Sequence, residues 1–161
     1  MATLLSIQFV AQTAYQIMRD LGAGYSESCY QNALYNKFVK IDPSTQKEVI
    51  IPVIYDGEPI GTCRADLVTA ENVIEIKATR TMPTQVNNQI RKYMVNLRMQ
   101  DSVPRFGIIL NFNQDSENVE IKIIPPSALP NEMPIEYKRR KHVQEEDVET
   151  KRAATTEHPN E

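Results

Sequence analysis

Cysteine is nearly absent from this 161-residue chain. Cys29 and Cys63 are its only two. They have no metal-ligand spacing and are too few for a disulfide framework, which excludes a disulfide-stapled secreted scaffold and points to a reducing compartment. A basic surplus is missing too. Lys and Arg number 18 against 21 Asp and Glu, a formal net charge of −3, so no whole-molecule positive field recruits nucleic acid. Splitting the chain at Pro125 leaves 12 basic against 13 acidic residues in the body and 6 against 8 in the tail. Any nucleic-acid contact must therefore use a local groove. No apolar run approaches the roughly 20 residues of a membrane span. The start lacks a charged region followed by an apolar core, so no secretory signal is expected. There are no internal repeats. These absences together read as a soluble intracellular protein with no membrane partner.

What is present suffices for one core, since 41% of the residues are hydrophobic. Residues 3–21 place Leu4, Ile7, Val10, Ala14, Ile17, Met18 and Leu21 at three-to-four spacing, an amphipathic helix that stops at Gly22-Ala23-Gly24. Ser26 is the expected N-cap of a second helix running to about Val39, with Cys29, Ala33, Leu34 and Phe38 as its buried stripe. Asp42-Pro43-Ser44 ends it with turn chemistry. Three strands follow, at about 47–55, 60–69 and 72–78, the first two joined at Asp56-Gly57, a hairpin signal. A helix over 84–98 has Val86, Ile90, Tyr93, Met94 and Leu97 as its apolar stripe, and Gln89 and Tyr93 share one of its faces. Phe106–Phe112 and Val119–Ile124 read as a buried strand and its antiparallel continuation. The expected fold is α/β, a mixed sheet of about five strands flanked by helices in the order αα-βββ-α-ββ.

The chemistry concentrates where the second and third strands meet. Side chains alternate along a strand, so Glu75 and Lys77 project on one side while Ile74 and Ile76 pack on the other. If Asp66 comes level with them on the neighbouring strand, two carboxylates and one ammonium converge. Paired carboxylates suit a hard cation such as Mg²⁺, and a lysine beside them orients a water or offsets charge on a phosphate under attack. The same residues are also what an exposed sheet face with cross-strand charge pairs would contain. Glu27, in the first turn of the second helix, is equally suited to offsetting the helix dipole. Gln89 and Tyr93 are equally suited to a core edge.

Taken in order, Gly24-Tyr25-Ser26-Glu27-Ser28-Cys29-Tyr30, Arg64-x-Asp66-Leu67, Val73-Ile74-Glu75-Ile76-Lys77-Ala78, Gln89-x-x-x-Tyr93 and Gly107-Ile108-Ile109-Leu110-Asn111-Phe112 resemble the motif series of the GxxExxY family. That family lies within the PD-(D/E)XK nuclease superfamily, and the likeness covers about residues 5–124. The resemblance implies a restriction-endonuclease-like core over 1–124 and a Mg²⁺- or Mn²⁺-dependent nuclease acting on DNA, whose product keeps a 5′ phosphate. Asp66 and Glu75 would be the metal ligands, with the carbonyl of Ile76 a third. Lys77 would position the nucleophilic water, Glu27 would border the site, and Gln89 would lie against it with Tyr93 beside it. Tyr30 would be a packing residue. Many relatives carry a histidine three residues before the glutamine; here that position is Val86. The segment Asp42–Gln46 is also unusual for the family. A non-catalytic nucleic-acid-binding or scaffolding protein on the same fold is the alternative. A homodimer through the first helix or the sheet edge is left open.

From Pro125 onward prolines come quickly and charges follow, so 125–161 is expected to be a disordered or loosely docked tail. Within it Lys138, Arg139, Arg140 and Lys141 read as a nuclear-localisation or phosphate-contacting cluster, suggesting a eukaryotic or viral setting, or else as a solvated charge run.

Overall fold

The structure, a computed structural model, describes residues 5–129. Of the expected 125–161 tail, residues 130–161, with the basic cluster Lys138–Lys141, lie outside the described residues. Helices α1 (Ile7–Leu21) and α2 (Glu27–Phe38) lead into strands β1 (Gln46–Tyr55), β2 (Glu58–Val68) and β3 (Asn72–Lys77). Helix α3 (Val86–Asp101), strands β4 (Phe106–Phe112) and β5 (Val119–Ile124) and a 3₁₀ turn at Pro126–Ala128 follow. The five strands form one sheet in the order β1-β2-β3-β4-β5. All neighbours are antiparallel except β3 and β4, which run parallel in the register Glu75↔Ile109 and Lys77↔Asn111. This is the expected αα-βββ-α-ββ arrangement, an α/β fold consistent with a restriction-endonuclease-like core.

Helices cover both faces. On one, α1 and α2 bury Val10, Ala14, Leu34 and Phe38 against Leu67, Ile74, Ile76, Ile108, Leu110 and Phe112. On the other, α3 lays Val86, Ile90, Met94 and Leu97 over Ile51, Val73 and Ile109. Leu129 is buried in this second layer, so packing runs to the end of the described residues. Among those residues, no helix is long and apolar enough to cross a membrane.

Two expectations about the helices are corrected. The first helix begins at Ile7, where Ser6 accepts a hydrogen bond from Phe9 N–H, and its last residue Leu21 is exposed. In α2 the buried stripe is Tyr30, Gln31, Leu34 and Phe38, while Cys29 is exposed and Ala33 only half-buried. The reason is Tyr30. Its ring stacks on Phe112 at 4.2 Å and its hydroxyl donates to Gly22 O at 2.7 Å. That anchor turns Cys29 outward. Ser26 precedes the helix as expected, but its hydroxyl meets Ser28 and Cys29 instead of capping the backbone.

The α2–β1 linker is tied down by Asp42, a buried carboxylate that accepts from Ala70 N–H at the β2–β3 turn and from both the N–H and hydroxyl of Ser44. Burial alone would raise its pKa; those three hydrogen bonds outweigh burial and hold it below the ordinary aspartate value. At Gly107, α3 crosses β4 so closely that a Cβ would lie 2.5 Å from Met94 Sδ and 3.3 Å from Ile90. Interiors this dense resist added volume, so Gly107→Val should lower the free energy of unfolding by about 1–3 kcal/mol. Urea denaturation checks it; an unchanged midpoint would mean that α3 is free to ride outward from the sheet.

Candidate active site

The site forms where the sheet forks. Strands β2 and β3 pair only at Leu67↔Ile74 and Val68↔Val73, although β2 extends back to Glu58 and β3 on to Lys77. At the split, the Asp66 carboxylate takes the place of a strand carbonyl: Oδ2 accepts the Ile76 N–H at 2.7 Å. The other side of Asp66 is irregular as well. The β1–β2 pairings Lys47↔Leu67 and Val49↔Ala65 flank it, with no pair between, and Glu48 opposite has φ +56°. Strict alternation would put Ala65 and Leu67 on one face, yet Ala65 packs in the α3 layer and Leu67 in the α1–α2 layer. The chain twists at Asp66, and this local break turns its carboxylate toward β3.

Alternation does hold along β3. Ile74 and Ile76 fill the α1–α2 layer, while Val73 packs toward α3. Glu75 and Lys77 share Val73's face, and Lys77 Nζ lies 2.8 Å from Glu75 Oε1. Glu75 is 2% exposed, and its Oε2 is buried with no hydrogen-bond partner among the described residues.

Burial, and then the Asp66 charge, push the Glu75 carboxyl up to about 7 against the pull of Lys77. Asp66 is likewise raised by burial and by Glu27 and Glu48, although the Ile76 N–H and Lys77 work the other way. Lys77 is raised: burial opposes its charge, but the hydrogen bond to Glu75 and the surrounding carboxylates of Glu75, Glu27 and Asp66 more than compensate. Glu27, exposed in the first turn of α2, is thus within electrostatic reach of all three expected residues. Gln89 reaches the group through Tyr93. Its amide donates to the Tyr93 hydroxyl, whose pKa burial raises, with Glu75, Cys63 and Asp66 adding to the rise.

Three further residues support the constellation, in roles that the sequence does not point to. Gln31 Nε2 donates to Glu48 Oε1 at 2.7 Å and to the Asp66 carbonyl at 2.9 Å. Glu48 also pairs with Arg64 at 2.8 Å. They clamp the backbone behind Asp66. Asn111 does the same beyond Lys77, accepting from Thr79 N–H and donating to Glu120 Oε2.

Two proximal carboxylates, one with an orphaned buried oxygen, fit a divalent cation, whose charge would offset the burial and the neighbouring carboxylates that raise their pKa values. Among the described residues no group of three or more His, Cys, Asp or Glu side chains gathers at metal-binding distance. Further ligands would have to be backbone carbonyls, water or substrate oxygens.

A family model described as the PD-(D/E)XK nuclease superfamily matches residues 6–124. Nucleases of that superfamily act on nucleic acid and generally use divalent metal ions. No curated protein matches the chain.

In the metal-free protein, the raised Glu75 pKa means that the folded state holds a proton which the unfolded state gives up near pH 4.5. Its favourable contribution is complete below that pH and is lost as pH rises through about 7. The loss is on the order of 3 kcal/mol. Denaturation at pH 5 and pH 8 in EDTA should show it in the wild type and not in Glu75→Gln. Parallel pH profiles for the two proteins would contradict this account of the buried carboxyl.

Proposed function

The chain belongs to the PD-(D/E)XK nuclease superfamily, and from that premise we propose that it is a Mg²⁺- or Mn²⁺-dependent DNA nuclease of the GxxExxY family. One observation carries the reading. The buried, unpartnered Glu75 Oε2 sits in a group with Asp66 and Lys77, an arrangement that costs stability unless something bound there uses it. The motif Gly24–Tyr30 supports the family assignment on physical grounds. Gly24 has φ +100°, Tyr30 locks α2 to the sheet, and the turn between them presents Glu27 at the site.

Asp66, Glu75 and the Ile76 carbonyl would hold the ion. When bound, the ion would polarise the scissile phosphate and lower the pKa of a coordinated water. Lys77 stays an ammonium, because the carboxylates around it raise its pKa. Its role is therefore to hold the attacking water and offset phosphate charge, not to act as the base. Water oxygen bonds to phosphorus as the P–O3′ bond breaks, leaving a 5′ phosphate. Glu27, on the rim, is placed to accept a proton from that water or to order a second one. Gln89, held by Tyr93, positions the strand. Gln31 and Glu48 keep Asp66 aimed. In this reading 1–124 is the catalytic body and 125–161 an appended tail; a homodimer is compatible with it.

The test is incubation of supercoiled, linear and single-stranded DNA with Mg²⁺ or Mn²⁺. The wild type should cut, and Asp66→Ala and Lys77→Ala should each lose at least about 100-fold in rate with circular dichroism unchanged. No cutting of any substrate, with no cation binding by calorimetry, would overturn the nuclease reading in favour of a non-catalytic binding protein. The net charge of −3 makes that second reading a specific competitor.

A further inference from the structure

Beside the carboxylates, α3 and the β1–β2 hairpin enclose a cleft of about 620 Å³. Its walls differ in chemistry. Val53 and Cys63 supply an apolar side from the hairpin. Tyr93 and Gln89 line it from α3 and connect it to the site just described, since the Tyr93 hydroxyl responds to the charges of Glu75 and Asp66. Gln85, the helical N-cap residue of α3, and Asn88 and Lys92 within it complete this wall, recurring at the three-to-four spacing that puts them on one face. Asn96 closes the cleft structurally: its Oδ1 accepts the Ile54 N–H, and its Nδ2 donates to the Lys92 carbonyl.

Asn96 and Gln89 therefore have their hydrogen-bonding work assigned, whereas Gln85, Asn88 and Lys92 do not. These three are exposed, and among the described residues their side chains make no hydrogen bond or ion pair. Two carboxamides offer donors and acceptors together and suit the edge of a nucleobase. The apolar side suits the base's flat face. One ammonium suits one phosphate.

The size and charge of the cleft choose between paired and unpaired nucleic acid. Its volume falls within the roughly 300–1,000 Å³ range of small-ligand sites, enough for a nucleotide and too small for a duplex some 20 Å across, whose major groove alone is about 12 Å wide. Duplex binding draws its affinity from many phosphate contacts. Among the described residues Lys92 is the only cation lining this cleft, and the chain as a whole carries −3. Recognition through bases is what remains, and bases are accessible in that way only when unpaired.

We infer that the α3–hairpin cleft binds an unpaired nucleotide adjoining the phosphate to be cut, with Gln85 and Asn88 on the base edge and Lys92 on its phosphate. This rests on the nuclease reading above and narrows its substrate to single strands, or to the unpaired ends and flaps of duplexes.

The experiment separates the two. Fluorescence anisotropy of the full chain, in Ca²⁺ so that the strand is held uncut, compares a labelled single-stranded oligodeoxynucleotide with its own duplex. The single strand should bind at least about tenfold more tightly. Gln85→Ala with Asn88→Ala should remove most of that margin, about tenfold for two lost hydrogen bonds, and leave duplex binding where it was. Both positions are exposed, so the fold should survive. Cutting in Mg²⁺ should follow the same preference. Equal affinity for the two forms, or a preference that the double substitution leaves intact, overturns the assignment even if the protein cuts DNA. Single-strand preference lost on substitution, in a protein that cuts nothing, upholds the cleft and overturns the nuclease.

Discussion

The 2.7 Å hydrogen bond from Ile76 N–H to Asp66 Oδ2 is the constraint on which the site's geometry depends. A sheet that continued regularly from β2 to β3 would satisfy that amide with a backbone carbonyl, and Asp66 would have no reason to face inward. Because the strands part after two residue pairs, the amide at the fork would be left without a strand partner, and an unpaired buried N–H is costly. The carboxylate fills that role and gives the split strand an end. In doing so it brings its charge to within interacting distance of Glu75. The structural need and the chemical arrangement are one contact.

That contact has an electrostatic cost which the surroundings only partly offset. Among the described residues Lys77 is the one cation acting on Asp66 and Glu75, while Glu27 adds a further negative charge to both and Glu48 to Asp66. Arg64 does not help, since it is exposed and committed to Glu48. The result is a buried carboxyl near neutral pKa with an oxygen that nothing in the described residues satisfies. A fold selected only for stability would place an apolar residue at position 75, buried as it is on the face it shares with Val73. Keeping a carboxylate there is sensible where a cation arrives to complete it, because the same repulsion that destabilises the free site strengthens cation binding.

Much of this arrangement is legible in the sequence. The Asp56-Gly57 turn, with φ +53° and +80°, sets the β1–β2 hairpin, and strand alternation places Glu75 with Lys77 opposite Ile74 and Ile76. Period-3.6 patterning marks the three helices, with ends that differ from the observed ones by at most four residues. The unexpected parts share one cause, which is a departure from a regular period. Counting straight back from Asp56-Gly57 pairs Asp66 with Lys47. The irregularity between Val53 and Ile54 shifts the register by one and brings Glu48 opposite, so neither Glu48 nor its Gln31 clamp could be counted out from the turn. The face change between Ala65 and Leu67 is hidden in the same way. Cys29 has the hydropathy of a core residue, while the Tyr30–Phe112 stack that rotates it outward is a contact between residues more than 80 positions apart.

The protein's acidic balance takes on a different meaning once the site is in place. Net charge governs long-range attraction, and here it gives none. The carboxylates that create the deficit include Glu27, Asp66 and Glu75, which are concentrated where a divalent cation would neutralise them. Such an ion would offset two of those three negative charges, and Lys77 offsets the third. Attraction then begins only at contact distance. A surface of that kind discriminates poorly by phosphate density and must discriminate by shape and by base contacts, because phosphate-driven affinity requires many neutralising side chains. The lack of a basic field thus directs attention from the rim of the molecule to the walls of the cleft beside Tyr93, where the uncommitted amides stand.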